Sequence, residues 1–273
     1  MRAPITSGLP DNESVLNPSD LTDHIERMKG KKPPKVPKFC ILAFFVEMYP
    51  VVERRFNPRV IHYPSEDNPV FYPIHVFEHK GLDLAFVFPG VGAPNAAIML
   101  EMMIAFGGQY FVVLSAPGTL TETIGRGEII VPTKALRDEG TSFHYEEPSR
   151  YSYPSELMLK CITETLAEKK VPFHEGGTWT TDALFRETEK EVHDYHQEGC
   201  LAVEMETAAL FSVTRFREKD IGALFAAGDC VAGKKWDPRK AKDGAGKREE
   251  ENGRLLDYAL DTFRLLDRKL EDP

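Results

Sequence analysis

Five short, uninterrupted apolar runs are the feature that most constrains how this chain can fold. They cover residues 39–45, 84–88, 110–114, 129–131 and 223–227. Such runs, without polar alternation, are typical of strands that are buried on both faces of a sheet. Patterns typical of helices lie between and after them, at residues 96–106, 155–169, 201–216 and 254–270. Strands that alternate with helices predict an α/β fold: a single domain whose central mixed, largely parallel sheet is flanked by helices.

The first 37 residues are predicted to form an arm and a linker in front of that domain, which covers residues 38–273. Asn17, Pro18 and Asp20 are residue types that begin helices, so a short helix is expected through Met28. A Pro- and Lys-rich linker follows at residues 30–37. Farther along, residues 233–253 are charged and punctuated by glycines. We interpret them as a solvated loop or an exposed helix, with a mobile lid as the alternative.

The composition excludes several classes of function. The chain has 273 residues, 42% of them hydrophobic, and a net charge of −9, so it carries no basic footprint for nucleic acid. No apolar run approaches the roughly 20 residues of a membrane-spanning helix, and residues 1–10 lack the apolar core of a signal peptide. The four cysteines are widely spaced, and the eight histidines form no ligand cluster with them. We therefore expect a cytoplasmic protein without a metal site or another cofactor.

Two carboxylates, Glu204 and Glu206, interrupt the apolar stretch at residues 201–210. Glutamate is almost never fully buried unless it is paired, so a carboxylate among these apolar neighbours needs a partner. A polyhydroxylated ligand is one such partner. The alternative is a helix N-terminus, where acidic residues interact favourably with the helix dipole. The residues alone leave both interpretations open.

Asp229 is the sharpest single candidate for a catalytic group. It follows the apolar residues 223–227, so we expect it to emerge from a buried strand into a cleft. Ligands of open α/β sheets bind at the carboxyl ends of strands. An apolar setting disfavours the charged form of a carboxyl group and makes it a usable general acid. A cap of the following turn is the alternative role.

Two further segments follow predicted strands and are candidates for ligand contact. Residues 89–94 include Gly92, and residues 115–119 begin with Ser115 and Ala116. The glycines at 90 and 92 suggest a dinucleotide fingerprint, but Asn95 replaces the third glycine and no acidic residue closes a second strand at the expected distance. We interpret these glycines instead as points where the backbone approaches a ligand or a neighbouring strand.

Several segments, taken in order, give the chain a resemblance to the nucleoside phosphorylase and nucleosidase superfamily. They are the helix-opening glycines at 90–94, the predicted strand at 127–132, the loop-like segments 137–145 and 178–182, the acidic block at 204–209, and Gly228-Asp229, where the family usually has Ser-Asp. The resemblance covers residues 38–270. It implies the fold and the glycosidic-bond cleavage of that superfamily.

The resemblance also implies roles for single residues. Asp229 matches an acid that protonates a purine at N7, and Glu206 matches a glutamate that binds the ribose 2′- and 3′-hydroxyls, with Glu204 as the second candidate. Met205 matches the residue that packs on the sugar. The other substrate-binding candidates are Phe143, Trp179 and Phe185 for stacking on the base, Asp182 and Arg186 for its edge, and the strand-end residues Gly92, Ser115 and Ala116. A place in the core is the alternative for the tryptophan, and a surface ion pair is the alternative for Asp182 and Arg186.

The chain departs from the phosphorylases of that superfamily at the residues that bind phosphate. It has no Gly-Asp-Pro turn after the first predicted strand, and Val113 stands at the arginine position. Pro117, in the next loop, lacks the N–H of an anion-binding nest. Since a dianion without cationic partners binds poorly, we favour water as the nucleophile. Glu47 lies within one residue of the glutamate that activates water in related nucleosidases, with an exposed glutamate at a helix start as the alternative.

We therefore predict an enzyme that cleaves the N-glycosidic bond of a purine-type nucleoside, by hydrolysis. The insertion with which pyrimidine-specific relatives bind the base is absent between residues 178 and 204. Two alternatives stay open. One is a phosphorylase that binds phosphate through Arg126, Arg137 or the pair Lys234 and Lys235; the other is a catalytically silent nucleoside-binding or storage protein. The resemblance also implies a homo-oligomer, either a dimer, a trimer or a hexamer.

Overall fold

The computed structural model describes residues 13–67, 71–239 and 245–271. The strands are β1 (Phe39–Ala43), β2 (Arg59–Ile61), β3 (Ile74–His79), β4 (Leu82–Val87), β5 (Tyr110–Ser115), β6 (Gly118–Thr119), β7 (Ile129–Asp138), β8 (Tyr151–Ser152), β9 (Phe173–Thr181), β10 (Cys200–Glu204) and β11 (Asp220–Ala226). The helices are α1 (Pro18–Lys29), α2 (Met48–Phe56), α3 (Ala93–Ala105), α4 (Glu156–Glu168), α5 (Glu189–Gln197), α6 (Thr207–Phe216) and α7 (Ala245–Glu271). Short 3-10 helices cover Thr141–His144 and Leu184–Arg186. None of the helices in these ranges is both long and apolar enough to span a bilayer.

These strands form one sheet whose centre is parallel. β4, β1, β5 and β11 lie side by side in that order and run in the same direction. β7 pairs antiparallel with β11, and β9 and β10 then follow in parallel with β7. The prediction of an α/β domain with a mixed, largely parallel sheet is confirmed.

β1 shows why the central strands are apolar at every position. Cys40 and Leu42 pack in the core that α3 and α6 cover, whereas Phe39 and Ile41 pack in the core that α4 and α7 cover. Successive side chains of a strand point to opposite faces of the sheet. A strand that is covered by helices on both faces therefore has no solvated side on which polar residues are favourable.

The helix predicted to begin near residue 17 is α1. At its start, the backbone N–H of Asn17 donates a hydrogen bond to Asp20 Oδ2 at 2.8 Å. Ile25 of α1 and Val36 of the linker belong to the same buried cluster as the apolar residues of α3. The division of the chain at residue 37 stays a prediction, but residues before that point contribute to the core of the domain.

Three local predictions were wrong. Residues 201–204 belong to β10 and not to the following helix, because they pair with β9 and bury Ala202 and Val203 in the sheet. Residues 137–138 and 178–181 lie in β7 and β9 and not in loops, and the two strands stay paired as far as Asp138 and Thr181. Threonines and charged residues interrupt these strands, so a search for apolar runs misses them.

The start of the last helix was also predicted too late. α7 begins at Ala245, before residue 254, because the intervening Lys, Arg and Glu residues are strong helix formers. Part of the charged segment 233–253 is therefore helical. Residues 240–244 lie outside the described residues, and the alternative of a mobile lid stays untested.

An ion pair between Glu101 and Arg217 joins α3 to the end of α6. The guanidinium donates two hydrogen bonds to the carboxylate, Nε to Oε2 at 2.7 Å and Nη2 to Oε1 at 2.9 Å. Glu101 is buried. A buried carboxylate with a bidentate partner is costly to leave unpaired.

We expect Arg217→Leu to lower the free energy of unfolding by about 3 kcal/mol, since it leaves the Glu101 charge without its cation. Adding Glu101→Leu should recover most of that loss, because no buried charge then remains. Arg264→Leu is the control: it removes a partly solvent-exposed pair with Asp261 at 3.5 Å and should cost less than about 1 kcal/mol. Urea denaturation of the variants measures these values, and equal losses for Arg217→Leu and Arg264→Leu contradict the account.

Candidate active site

A cavity of about 880 Å³ opens at the carboxyl ends of β1, β5 and β11. Phe45 and Glu47 follow β1, Ala116 follows β5, and Gly228 and Asp229 follow β11. The other walls come from the segment before α5 (Leu184, Phe185, Glu187), from the loop after β11 (Lys234, Lys235, Trp236) and from α7 (Glu251, Asn252). Its volume is that of a small-molecule site, and its position is the one at which open α/β sheets bind ligands.

The backbone of Asp229 is fixed by β6. Thr119 N–H donates to the Asp229 carbonyl at 2.9 Å, and Val231 N–H donates to the Thr119 carbonyl at 3.0 Å. β6 also pairs antiparallel with β10. The position of Asp229 is therefore set relative to the strand that leads to Glu204.

The side chain of Asp229 is held by the loop that follows it. Cys230 and Asp237 exchange two backbone hydrogen bonds, at 2.9 and 3.0 Å, which close the loop between them. This closure brings Trp236 back to Asp229, and its Nε1–H donates to Oδ2 of the carboxylate. Oδ1 receives no hydrogen bond from any residue that the structure describes. One carboxylate oxygen is thus oriented, and the other is available to a ligand.

Glu204 accepts hydrogen bonds from two neighbouring elements, β9 and the start of α6. Its Oε1 accepts from the hydroxyls of Thr180 at 2.6 Å and Thr178 at 3.3 Å, both on β9. Its Oε2 accepts from the N–H of Glu206 at 2.8 Å, and from the N–H and the hydroxyl of Thr207, each at 2.7 Å. The partners of this buried carboxylate are protein groups. Of the two roles considered from the sequence, Glu204 therefore fits an acidic residue at a helix N-terminus better than a residue that binds a ligand.

Glu206 is buried directly beside that carboxylate. Its Oε1 accepts from Gly92 N–H at 2.7 Å and its Oε2 from Met205 N–H at 3.2 Å. Gly92 has a φ of 94°, in the left-handed region that favours glycine. Burial raises the pKa of Glu206 to about 8, the charge of Glu204 adds to the rise, and the two N–H groups oppose it. Burial raises the pKa of Glu204 as well, but its larger set of donors opposes that rise, so this geometry favours the proton of the pair on Glu206.

Three other predicted site residues line the cavity with Asp229. Glu47 is exposed at the N-terminus of α2. Phe185 lies in the 3-10 helix before α5 and is 95% exposed, so its ring is free to cover a ligand. Ala116 contributes to the wall from the loop between β5 and β6. The structure brings these three residues together with Asp229 around one space.

Trp179 and Phe143 do not line the cavity. Trp179 is 1% exposed, its Nε1–H donates to Asp138 Oδ2 at 2.9 Å, and its ring lies edge-on to Tyr195. Phe143 is buried below the guanidinium of Arg137, which lies 4.1 Å from the ring centroid. Trp179 therefore lies in the core, which was the alternative to base stacking in the sequence analysis.

The remaining predicted residues, including Glu204, Glu206 and Gly92, lie outside the cavity wall as well. Asp182 accepts a hydrogen bond from Gly140 N–H at 2.9 Å, and Arg186 is exposed. Ser115 is buried at the end of β5, and Met205 is half-buried between the two glutamates. The contacts of these residues are with the protein itself, and their roles toward a substrate stay predictions.

The cations considered for phosphate fall into two groups. Arg137 is fully buried, and its guanidinium donates to the Oγ atoms of Ser142 and Ser149 and to two carbonyls of residues 146–147. It holds the segment after β7 in place and is remote from the cavity wall. Arg126 and the pair at 234–235, in contrast, line the cavity with Asp229.

Glu187 and Trp236 were missed as site residues. Burial raises the pKa of Glu187 to about 7, and the charges of Asp229 and Glu191 add to the rise. Glu187 stands in a polar stretch without periodicity, and Trp236 reaches Asp229 only because the loop closes between them. Neither position carries a local sequence signal for its neighbours in space.

Comparison with known proteins establishes the family. The family model described as "Phosphorylase superfamily" matches residues 40–261. The chain belongs to the phosphorylase superfamily. A guanosine phosphorylase of Halorubrum lacusprofundi is 30% identical over 180 residues, which are 63% of this chain and 75% of that protein. A uridine phosphorylase of Thermococcus kodakarensis is 28% identical over 158 residues, which are 56% of this chain but only 54% of that protein.

Solved structures of the superfamily share the fold over nearly the whole chain. An AMP nucleosidase from Bacteroides thetaiotaomicron matches with a TM-score of 0.72 at 19% identity, covering 93% of this chain and 99% of that one. A uridine phosphorylase from Vibrio fischeri matches with a TM-score of 0.72 at 22% identity, covering 88% and 99%. The resemblance drawn from the sequence is confirmed.

In this member of the phosphorylase superfamily, two departures from the usual pattern are in contact: Gly228 and the loop that contains Pro117. Gly228 stands where serine is usual, and its N–H donates to the Pro117 carbonyl at 2.8 Å. A Cβ at residue 228 would lie 2.7 Å from the carbonyl oxygen of Ala116 and 2.9 Å from that of Pro117. The altered loop therefore lies so close to residue 228 that only glycine fits there.

Gly228→Ala should lower the free energy of unfolding by about 1–3 kcal/mol, because the added methyl group meets two backbone oxygens. It should also move Asp229 and weaken the binding of any ligand in the cavity. Gly233→Ala, in the next loop, is the matched control, since its Cβ would have 3.4 Å to the nearest atom. Thermal and urea denaturation compare the two variants, and a Gly228→Ala protein as stable as the control contradicts this packing.

The raised pKa of Glu206 predicts how stability depends on pH. From pH 4.5 to about 8 the unfolded chain has released this proton while the folded protein retains it. The free energy of unfolding should therefore fall as the pH rises through that window, by up to about 1.4 kcal/mol per pH unit from this group. Glu206→Gln should remove this contribution. Urea denaturation at pH 5 to 8 measures both slopes, and equal slopes contradict the assignment.

Proposed function

We propose that this protein cleaves the N-glycosidic bond of a purine-type nucleoside, with water as the nucleophile. The observation that carries the proposal is the position of Asp229. It lies on the wall of the cavity at the carboxyl ends of the parallel strands, with one carboxyl oxygen held by Trp236 and the other available. Membership in the phosphorylase superfamily supports this class of reaction.

In the proposed mechanism, Asp229 donates a proton to N7 of the base while the bond from the base to C1′ breaks. A purine leaves as an anion only with difficulty, so protonation lowers the barrier. Glu206 is proposed to bind the ribose hydroxyls, since a protonated carboxyl group can both donate a hydrogen bond to a hydroxyl and accept one from it. The one negative charge that Glu204 and Glu206 retain together favours the oxocarbenium-like transition state, because positive charge develops at the sugar.

Water is proposed as the nucleophile because the usual phosphate ligands of the superfamily are replaced. The loop after β5 contains Pro117, whose carbonyl is bonded to Gly228, and Val113 is buried in β5. Glu47 is the proposed base that takes a proton from the water. It lines the same cavity from the end of β1, and Phe185 is proposed to cover the base.

Phosphorolysis is the second candidate, and one observation favours it. Arg126, Lys234 and Lys235 line the cavity together with Asp229. A phosphate bound by these cations would replace the water as nucleophile. The relatives include guanosine, uridine and purine nucleoside phosphorylases, which supports phosphorolysis as the second candidate.

Asp229→Asn should lower the rate of base release from purine nucleosides by about 10²- to 10⁴-fold, because the amide cannot supply the proton. The matched control is Asp194→Asn, which changes a half-buried residue of α5 that pairs with the exposed Lys190 and does not line the cavity. Both variants are assayed beside the native protein on purine and pyrimidine nucleosides, with and without phosphate.

Release without phosphate that is lost only in Asp229→Asn is the expected result. Release that depends on phosphate, and falls in Arg126→Ala, establishes the second candidate. Nucleoside binding without release of any base contradicts both and indicates a binding protein.

A further inference from the structure

Glu187 is the exception in an otherwise exposed segment. Each other residue from 182 to 190 is exposed, whereas Glu187 is half-buried on the wall of the cavity that also holds Asp229. It follows the 3-10 helix Leu184–Arg186 directly. Of the two carboxyl groups of this segment that line the cavity, Glu187 and Glu189, only that of Glu187 is half-buried.

Within the part of the chain that the structure describes, Glu187 has no structural task at that position. The N-terminus of α5 is capped by Thr188, whose hydroxyl accepts from Glu191 N–H at 3.3 Å, and Glu191 accepts from Thr188 N–H at 3.1 Å. Within the ranges that the structure describes, Glu187 neither accepts a hydrogen bond nor forms an ion pair. A carboxyl group that is turned inward without a partner points to a role in the cavity.

The charges around Glu187 come from several elements. Asp229 and Glu191 are negative, and burial acts in the same direction, which together raise its pKa to about 7. The other charged groups on the cavity wall are Glu47 before α2, Arg126 before β7, Glu189 on α5, Lys234 and Lys235 after β11, and Glu251 on α7. Arg126 lies 3.8 Å from Glu251 and is partly neutralised by it. Two carboxyl groups that face one space favour sharing one proton over carrying two charges.

We propose that Glu187 and Asp229 form a carboxyl pair that shares one proton, and that Glu187 supplies the proton which Asp229 passes to the leaving base. This rests on the proposed function. The Glu187 carboxyl gives its proton to the Asp229 carboxylate, and Asp229 gives a proton to N7 as the C1′–N9 bond breaks and its electron pair goes to the base. The attacking water loses a proton to Glu47, which releases it to solvent, and Glu187 regains one proton from solvent, so that protons balance over one turnover.

The proposal predicts a particular pH dependence of kcat for base release. Below about pH 7 the pair holds its proton, and above that pH the rate should fall as Glu187 ionises. In Glu187→Gln the stored proton is absent, so kcat at pH 7.5 should fall at least about 10-fold, with less loss at pH 5.5, where solvent supplies protons more readily. Glu187→Asp should restore most of the rate at pH 7.5.

The matched control is Glu189→Gln, which removes the same charge from an exposed residue of the same wall. It should leave the shape of the pH profile as in the native protein. Glu206 titrates in all these proteins and does not distinguish them. If Glu187→Gln and Glu189→Gln give the same profile, the proposal is overturned, whereas the proposed function still stands as long as Asp229→Asn is inactive.

A second readout does not depend on activity. Protein labelled with ¹³C at the glutamate carboxyl carbon should show a resonance that titrates near pH 7 and is missing in Glu187→Gln. That resonance should shift in Asp229→Asn, because the neighbouring charge is removed. An unchanged resonance in Asp229→Asn shows that the two groups are not coupled and overturns the pair, whether or not the protein releases a base.

Discussion

The burial of a charged carboxylate at Glu204 is the constraint on which the candidate site depends. A buried charge is tolerated only where donors satisfy it, and for Glu204 they come from Thr178 and Thr180 of β9 and from the first turn of α6. Satisfying this carboxylate fixes where β9, β10 and α6 meet. It also sets the state of Glu206, because a second charge beside the first is disfavoured.

β6 connects the strand that leads to Glu204 with the segment that contains Asp229. This strand of two residues pairs with β10 on one side and bonds to the Asp229 segment on the other. A Cβ on Gly118 would lie 3.3 Å from Val203 Cγ1 and 3.4 Å from Asp229 Oδ1, so the three residues are packed together. The proposed acid and the proposed ribose ligand therefore belong to one rigid assembly, although they come from different parts of the sheet.

The sequence predicts those parts of the site whose structure depends on neighbouring residues in the chain. The central strands are recognisable because both of their faces are buried, and Asp229 was expected in a cleft because it follows such a strand. Tertiary contacts decide the rest. Trp179 lies in the core because its polar neighbours on β9 bond to Glu204, and Glu187 faces the cavity because the chain turns after a 3-10 helix. No periodicity marks either residue.

The identity of the nucleophile is the most direct test of this account. A purine nucleoside labelled with ¹³C at C1′ is incubated with the protein in phosphate buffer, and the product carbon is followed by NMR. The account predicts the two anomers of free ribose, without coupling of that carbon to phosphorus, since water attacks at a site whose usual phosphate ligands are replaced. A C1 resonance that is split by phosphorus identifies ribose 1-phosphate and contradicts hydrolysis as the reaction of this site.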